Sequence, residues 1–390
     1  MRILSIKSST SMHGGGSKAF MQMLDGLRLF GVESLVIFPD NKDMYQVLTQ
    51  NKIPCKALKF HYRPSVYPWS KSFIQKLLFV PRLCGRLITN CLATIQLIRI
   101  AKEYQPDIIH TNVSVISIGY HAAKFLKIPH VWHIREYGAI DFNTFYYYPT
   151  FKAQLSRYNE DKSYTICITK DIQKYNRLTD RDKSRVIYDG VLSSKVLTYS
   201  PNKKPYFLFA GRLEKIKGIL PLIDAYAVYC KNHLAPLPLY IAGSGSKSYT
   251  QLILDRIKHY KIENQVVLLG LRDDILSLYQ EAKALIVPSL SEGFGFITAE
   301  AMFLGCLVVG YDVAGTKEQL DNGKEITGEE IALRYSTQEQ LVQHLINVTD
   351  NSIVHYEQMI CQSQQTVSKL YTTEIHAKQI YDYYNYILGL

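Results

Sequence analysis

A chain of 390 residues that is 47% hydrophobic and 20% charged holds two or three globular domains at roughly 100–200 residues each, and composition excludes a disordered chain. The net charge of +11 is unevenly spread: residues 1–195 carry 28 Lys and Arg against 14 Asp and Glu, and residues 196–390 carry 17 against 20, so the two halves meet different partners. The seven cysteines (Cys55, Cys84, Cys91, Cys167, Cys230, Cys306, Cys361) are scattered and form no CxxC pair, which argues against a disulfide framework or zinc site and for a reducing cytosol.

Residues 1–7 lack the apolar stretch and cleavage site of a secretory signal, and 3–8 reads as a strand. A turn-rich stretch with Gly14, Gly15 and Gly16 follows, then helical spacing over 18–30 and a strand over 33–38. Residues 51–100 hold nine basic residues, among them Lys71, Lys76, Arg82 and Arg86, and no acidic one, with aromatics Phe60, Tyr62, Tyr67, Trp69, Phe73 and Phe79 interleaved. An anionic membrane surface would attract such a segment at about 1 kcal/mol per basic residue. Nucleic acid would use the same ingredients, and a merely solubilising surface is the plain alternative. The membrane surface is the expectation adopted. No continuous apolar run reaches the ~18 residues of a spanning helix; the best suspect, 87–98, contains Thr89, Asn90 and Gln96. Further strands are expected at 108–110, 130–134 and 164–168.

The pattern then restarts. Residues 192–205 are rich in Ser, Lys and Pro and read as the joint. Strands are expected at 206–210, 239–242, 266–269, 284–287 and 307–311, with a helix over 219–232. The alternation gives α/β architecture, two doubly wound parallel sheets covered on both faces, with domains at 1–192 and 193–371. Ligands in such folds lie beyond the carboxyl ends of the strands.

One βαβ unit carries the strongest signal. The strand Ala284–Val287 leads into the turn Leu290-Ser291-Glu292-Gly293-Phe294-Gly295 and a short helix over 296–304. Gly293 and Gly295 let the backbone approach a ligand, and free N–H groups at the helix start suit a diphosphate. Glu292 and Glu300 are then unhelpful beside an anion unless they accept hydrogen bonds from sugar hydroxyls. The plain alternative is a helix-dipole Glu and a surface Glu.

Residues 291–302, Ser-Glu-Gly-Phe-Gly-Phe-Ile-Thr-Ala-Glu-Ala-Met, resemble the E-x7-E signature of the retaining glycosyltransferases of family 4, which have the GT-B fold. Other pieces match in order: Gly211-Arg212-Leu213 with Lys217-Gly218, the strand 239–242 with Gly243-Ser244-Gly245, residues 267–270 with Leu278-Tyr279, the stretch 185–191 (with Asp189 where Asn is usual), and the loop Gly14-Gly15-Gly16. The resemblance implies two Rossmann-like domains facing a central cleft, with the tail 372–390 crossing back onto the first domain as a helix. It implies that Glu300 binds the ribose and Glu292 the transferred sugar. Arg212 and Lys217 would neutralise the diphosphate with the N–H groups of Gly295 and Phe296, a task suited to preorganised cations and donors. Ile297, Gly243, Leu271, Gly15 and Gly16 would line the nucleotide sugar. His133, ending a strand, would face the reacting sugar, with Arg135 and Glu136 meeting the acceptor or pairing with each other. His110 has a similar but weaker case, and His13 a weaker one still.

The expected enzyme is a metal-independent, hexosyltransferase-like transferase (EC 2.4) without cofactor. It would use a nucleotide sugar, UDP-sugar by preference, and retain anomeric configuration. Together with the basic segment, the resemblance points to a lipid-linked saccharide acceptor of capsule, exopolysaccharide or O-antigen type, a peripheral position on the inner face of the cell membrane, and no nucleic acid partner. The alternatives are a GT-B nucleotide-sugar epimerase and a degenerate, non-catalytic GT-B binding subunit. Decoys fall away. Ser246 stands where a P-loop needs Gly before Lys247. Residues 8–13 separate the first strand from the Gly loop, unlike a dinucleotide fingerprint. Asn112 and Asn347 open glycosylation sequons that a cytosolic chain would not use. Asp273-Asp274 reads as a helix start rather than a metal dyad.

Overall fold

The computed structural model describes residues 1–12, 14–62, 73–138, 151–179 and 183–390; His13 and Lys71 lie outside them. The chain divides into two compact units, Met1–Tyr188 with His376–Leu390, and Asp189–Ile375.

The first unit runs β1 (Arg2–Ile6), α1 (Gly15–Leu29), β2 (Glu33–Phe38), α2 (Met44–Gln50), β3 (Cys55–Ala57), α3 (Phe73–Leu77), α4 (Phe79–Tyr104), β4 (Ile108–Thr111), α5 (Ile118–Leu126), β5 (His130–Ile134), α6 (Phe151–Tyr158), β6 (Ser163–Cys167), α7 (Lys170–Tyr175) and β7 (Ser184–Val186). The second runs β8 (Lys204–Ala210), α8 (Ile219–Asn232), β9 (Leu239–Ala242), α9 (Lys247–Tyr260), β10 (Val266–Gly270), α10 (Ile275–Glu281), β11 (Ala282–Val287), α11 (Phe296–Phe303), β12 (Leu307–Tyr311), α12 (Ala314–Thr327), β13 (Leu333–Tyr335), α13 (Gln338–Asp350) and α14 (Glu357–Leu370). A last helix, α15 (Thr373–Leu388), carries the chain back into the first unit.

Each unit is built on one parallel sheet, seven strands in the order β3-β2-β1-β4-β5-β6-β7 and six in the order β10-β9-β8-β11-β12-β13. The central strands are apolar almost throughout because helices cover both faces. On one face of the first sheet Phe20, Met23, Leu24 and Leu27 of α1 share a core with Ile380, Tyr383 and Tyr384 of α15. On the other face Leu97 and Ala101 of α4 pack with Ala122 and Ala123 of α5. Burying an apolar side chain contributes about 1.5–3 kcal/mol, so the three α15 residues are reason enough for the tail to join this unit.

The strand order of both sheets reverses beside their first strand, at β1/β4 and at β8/β11, and the crevice at such a switch point is where open α/β sheets take ligands. The division falls at Tyr188/Asp189 and Ile375/His376, where the sequence placed it at 192/193 and 371/372. The two crossing segments bond to each other inside the second unit, Val191 N–H donating to the Tyr371 carbonyl at 2.8 Å and Thr373 N–H to that of Leu192 at 3.1 Å. The expected strands are present with ends shifted by up to two residues. Three short strands, β3, β7 and β13, were not expected; each has three residues at a sheet edge, too few for a periodic signal. The apolar stretch 87–98 belongs to a longer helix, α4, of 26 residues. By length and composition it is long and apolar enough to cross a membrane, a correction to the sequence reading, which stopped at the flanking arginines.

Candidate active site

In the second unit the switch point lies between β8 and β11, and the predicted residues gather there. After β8 the backbone passes Gly211 and Arg212, and the N–H of Leu213 donates to Ser244 O at 2.8 Å, tying this turn to the one after β9. Gly243 closes directly on the Gly211 carbonyl, where a side chain would collide. A short 3-10 turn over Lys215–Lys217 then ends in Gly218, at φ +68°. A Cβ on Gly218 would run into the carbonyl of Pro288, and Leu290 N–H donates to the Ile216 carbonyl at 2.8 Å. Through this contact Lys217 meets the loop after β11. Its Nζ donates to Glu292 Oε1 at 2.6 Å, the two side chains being 18% and 11% exposed. Ser289 Oγ donates to the same oxygen at 2.8 Å.

The turn after Glu292 reverses at Gly295, whose φ of +94° suits glycine and places it as the uncapped N-cap of α11. The first N–H groups of that helix have no helical acceptor, so Phe296 and Ile297 present backbone donors to an anion. The turn is pinned from behind by Gln319 of α12, whose Nε2 donates to the carbonyls of Phe294 at 2.5 Å and Gly295 at 3.0 Å. Glu300 projects from α11 into the interior and is 3% exposed, which excludes the surface alternative. The hydroxyl of Tyr279 on α10 donates to Glu300 Oε2 at 3.4 Å, and burial followed by the Glu300 charge raises the Tyr279 pKa well above the usual phenol range. Arg212 differs: its side chain is 72% exposed and pairs with Glu214 at 3.0 Å. Leu271, just beyond the Gly270 turn, is exposed. Asp274 stands at the N-cap position of α10 with its carboxylate held by Arg272 and not by the helix N–H groups, so the Asp273-Asp274 pair starts a helix as expected.

In the first unit the switch point holds Lys7 after β1, His110 on β4 and His133 on β5. Lys7 is buried, and its Nζ donates to the Gly16 carbonyl at 3.0 Å; Gly15 and Gly16 open α1. The Arg135 side chain approaches the same Gly loop, and its Nε donates to Asn112 Oδ1 at 2.5 Å. Glu136 is buried, its Oε1 accepting from the N–H and hydroxyl of Ser114 at 2.6 and 2.5 Å and its Oε2 from the Arg135 N–H at 3.1 Å. It shapes the loop after β5.

His133 and His110 are fully buried. His133 Nδ1 lies 3.2 Å from His110 Nε2, and His110 Nδ1 meets the Tyr384 hydroxyl of α15. The His376 ring stacks 6.3 Å from that of His133, its Nδ1 donating to the Tyr188 carbonyl at 2.6 Å. Burial pushes the His110 pKa down to about 3, helped by the Arg135 and His376 charges. Burial likewise holds His133 well below the usual imidazole range, with Arg135, His110, His376 and Lys7 adding to it. Gln319, Ser289, Lys7 and His376 were missed in sequence: Gln319, Lys7 and His376 are lone polar residues with no motif around them, and Ser289 lies just ahead of the Glu292 turn but outside the 291–302 signature.

Lys76, Arg82 and Arg86 lie on α3 and α4, apart from these clusters; Lys76 is half-buried and the two arginines are exposed. Around them Phe73, Ile74, Leu77, Val80, Ile88, Leu92 and Ile95 are exposed too.

Two family models match, Glycosyltransferase Family 4 over residues 13–194 and Glycosyl transferases group 1 over residues 197–366. Among curated proteins, the Escherichia coli UDP-Gal:alpha-D-GlcNAc-diphosphoundecaprenol alpha-1,3-galactosyltransferase is 25% identical over 308 residues, 73% of this chain and 78% of that one. An uncharacterized glycosyltransferase of Methanocaldococcus jannaschii is 28% identical over 232 residues, 56% of this chain and 59% of its own. Among solved structures, Anabaena HepE in complex with UDP and glucose superposes with a TM-score of 0.75 at 19% identity, covering 98% of both chains. The lipopolysaccharide outer core galactosyltransferase WaaB, in its apo form, gives 0.69 at 17% identity over 100% of this chain and 99% of that one. The fold they share is GT-B.

Proposed function

Because the chain belongs to the family 4, group 1 glycosyltransferases and acts on a nucleotide sugar, we propose that it moves a hexose from a UDP-sugar to a hydroxyl of a lipid-linked saccharide, with retention and without a metal. The observation that carries this is the Lys217–Glu292 pair at the mouth of the β8/β11 crevice, beside the uncapped start of α11. A cation and a turn of N–H donors are what a departing diphosphate requires, and a carboxylate is the acceptor that sugar hydroxyls require. UDP is the nucleotide that HepE holds and UDP-Gal the donor named for the E. coli relative, and that relative's acceptor is a diphosphoundecaprenol-linked sugar.

In the step proposed, the bond between the anomeric carbon and the diphosphate oxygen breaks with its electron pair going to phosphate. Lys217, Arg212 and the N–H groups of Gly295, Phe296 and Ile297 meet that charge. The acceptor hydroxyl attacks from the same face and its proton passes to the departing phosphate oxygen. Glu300, held by Tyr279, takes the ribose hydroxyls; Glu292 takes those of the sugar.

The acceptor proposal extends to the membrane. Ile88, Leu92 and Ile95 stand opposite the buried Ala93, Leu97 and Ala101 of α4, so this helix is apolar on its outer face as well. With Lys76, Arg82 and Arg86 on the same segment, that face suits the interface of an anionic bilayer. The protein then works peripherally on the inner leaflet, with a lipid surface rather than nucleic acid as its partner.

The test is thermal unfolding with UDP, GDP, ADP and CMP for wild type and Glu300→Gln, followed by turnover with UDP-sugars in EDTA. Ligand at ~100 times its dissociation constant adds about 2.7 kcal/mol, a shift of several degrees. A shift with UDP that Glu300→Gln removes, and sugar transfer that survives EDTA, are the expected results. Sugar released as an epimer without any acceptor would favour the epimerase instead.

A further inference from the structure

Beneath His133 the first unit holds a buried chain of polar side chains, Tyr384 to His110 to His133. We infer that Tyr384 and His110 are positioning residues that fix His133 as a hydrogen-bond donor through Nε2. The inference rests on the reading that His133 faces the reacting sugar.

The direction of the chain follows from its far end. Tyr384 is fully buried on α15, and burial holds its phenol well above the usual range, so it keeps its proton. A buried O–H left without an acceptor is costly, whereas an oxygen with an unused lone pair is tolerated. Tyr384 therefore donates, and His110 Nδ1 accepts. His110 is neutral and carries one proton, which must then sit on Nε2, facing His133 Nδ1 at 3.2 Å. His133 accepts there, is neutral as well, and so carries its own proton on Nε2. That nitrogen is buried and has no protein partner among the described residues. An N–H in this state calls for an acceptor from outside, and a sugar hydroxyl oxygen is one.

The opposite orientation would strand the Tyr384 hydroxyl and present a bare lone pair at His133 Nε2, a base instead of a donor. Arg135, Lys7 and His376, the charged and titratable groups around His133, all oppose a second proton. His376 is anchored separately, through Nδ1 on the Tyr188 carbonyl. A residue on the last helix thus decides what His133 offers to substrate.

The experiment reads tautomers directly. Full-length protein labelled with 15N at histidine is examined without ligand by long-range 1H–15N correlation, as wild type, Tyr384→Phe and His110→Gln. Wild type should hold both His110 and His133 in the Nε2–H form. Tyr384→Phe should turn both into mixtures. His110→Gln, whose amide still donates toward Nδ1 of His133, should keep His133 in the Nε2–H form. An Nδ1–H form of His133 in wild type, or an unchanged Nε2–H form in Tyr384→Phe, would overturn the inference. In turnover with UDP-galactose, Tyr384→Phe should lose about 10-fold in kcat with donor KM within about twofold; mixed tautomers with unchanged kcat would also overturn the donor role. Absence of turnover by wild type with any UDP-sugar would count against the transferase reading instead, since the tautomers are read without substrate.

Discussion

Lys217 and Glu292, 75 positions apart in the chain, share a hydrogen bond of 2.6 Å in a half-enclosed site. The pair neutralises itself when the site is empty, so neither charge is buried alone. In the proposed role, an arriving diphosphate would compete with Glu292 for the lysine and free the carboxylate for sugar hydroxyls. Lys217→Ala should therefore weaken UDP binding at least 10-fold and lose most turnover. Glu292→Gln should leave UDP affinity within a few-fold but reduce kcat by about 100-fold. Isothermal titration with UDP beside steady-state kinetics separates the two; equal losses of UDP affinity in both variants would contradict the division of labour.

The contact that brings this pair together is backbone against backbone. Gly218 sits at φ +68° with the Pro288 carbonyl where a Cβ would go, whereas Gly328, at φ +79°, faces open space. Gly328→Ala should cost about 1 kcal/mol, from the left-handed conformation alone. Gly218→Ala adds a collision that must move the Lys217 turn and should cost about 3 kcal/mol in all. Urea unfolding of both variants checks the difference.

The doubly wound pattern was legible because central strands such as β5 and β11 are short apolar runs bounded by turns, and because α8 and α15 keep helical spacing. The Glu292–Glu300 unit was legible from its glycines and paired carboxylates. What could not be read was everything that depends on who lies behind whom. Gln319 pins the turn at Phe294 and Gly295 from another helix, and nothing around it in sequence marks that job. Nothing around Tyr384 in sequence marks it either, yet its hydroxyl ends a hydrogen-bonded chain. Arg135 and Glu136, adjacent in sequence, were expected to meet the acceptor or to pair with each other; the structure turns their side chains to Asn112 and Ser114. The outer face of α4 was hidden because its arginines interrupt the apolar run without interrupting the helix.

Acid should unfold the first unit early. His110, His130 and His133 are fully buried with pKa values lowered by burial, His110 to about 3. The folded form binds fewer protons than the unfolded chain below pH 6.5, so stability is complete above that pH and falls as pH drops toward the folded pKa. Between pH 6 and pH 5 each histidine should remove about 1 kcal/mol, about 3 in all. Both tryptophans, Trp69 and Trp132, lie in residues 1–188, so tryptophan fluorescence in urea reports this unit. A flat midpoint from pH 7 to pH 5 would contradict the burial of neutral imidazoles.

Membrane attachment should divide into a salt-sensitive and a salt-resistant part. Neutralising Lys71, Lys76, Arg82 and Arg86 together removes about 4 kcal/mol of attraction to an anionic leaflet, roughly three orders of magnitude in partitioning. Ile88→Ser with Leu92→Ser keeps the charge and removes apolar contact from the exposed face of α4. The expected result is that wild type floats with phosphatidylglycerol vesicles and keeps part of that binding in high salt, because burial of apolar surface is not screened. The serine variant should bind at low salt and detach at high salt, and the neutralised variant should keep only a weak binding that salt does not change, while both retain UDP binding. The same basic residues would serve a polyanion, so a duplex DNA shift assay runs alongside. Flotation unchanged in both variants would remove the membrane from the proposal, and salt-dependent binding to DNA but not to vesicles would replace it with nucleic acid.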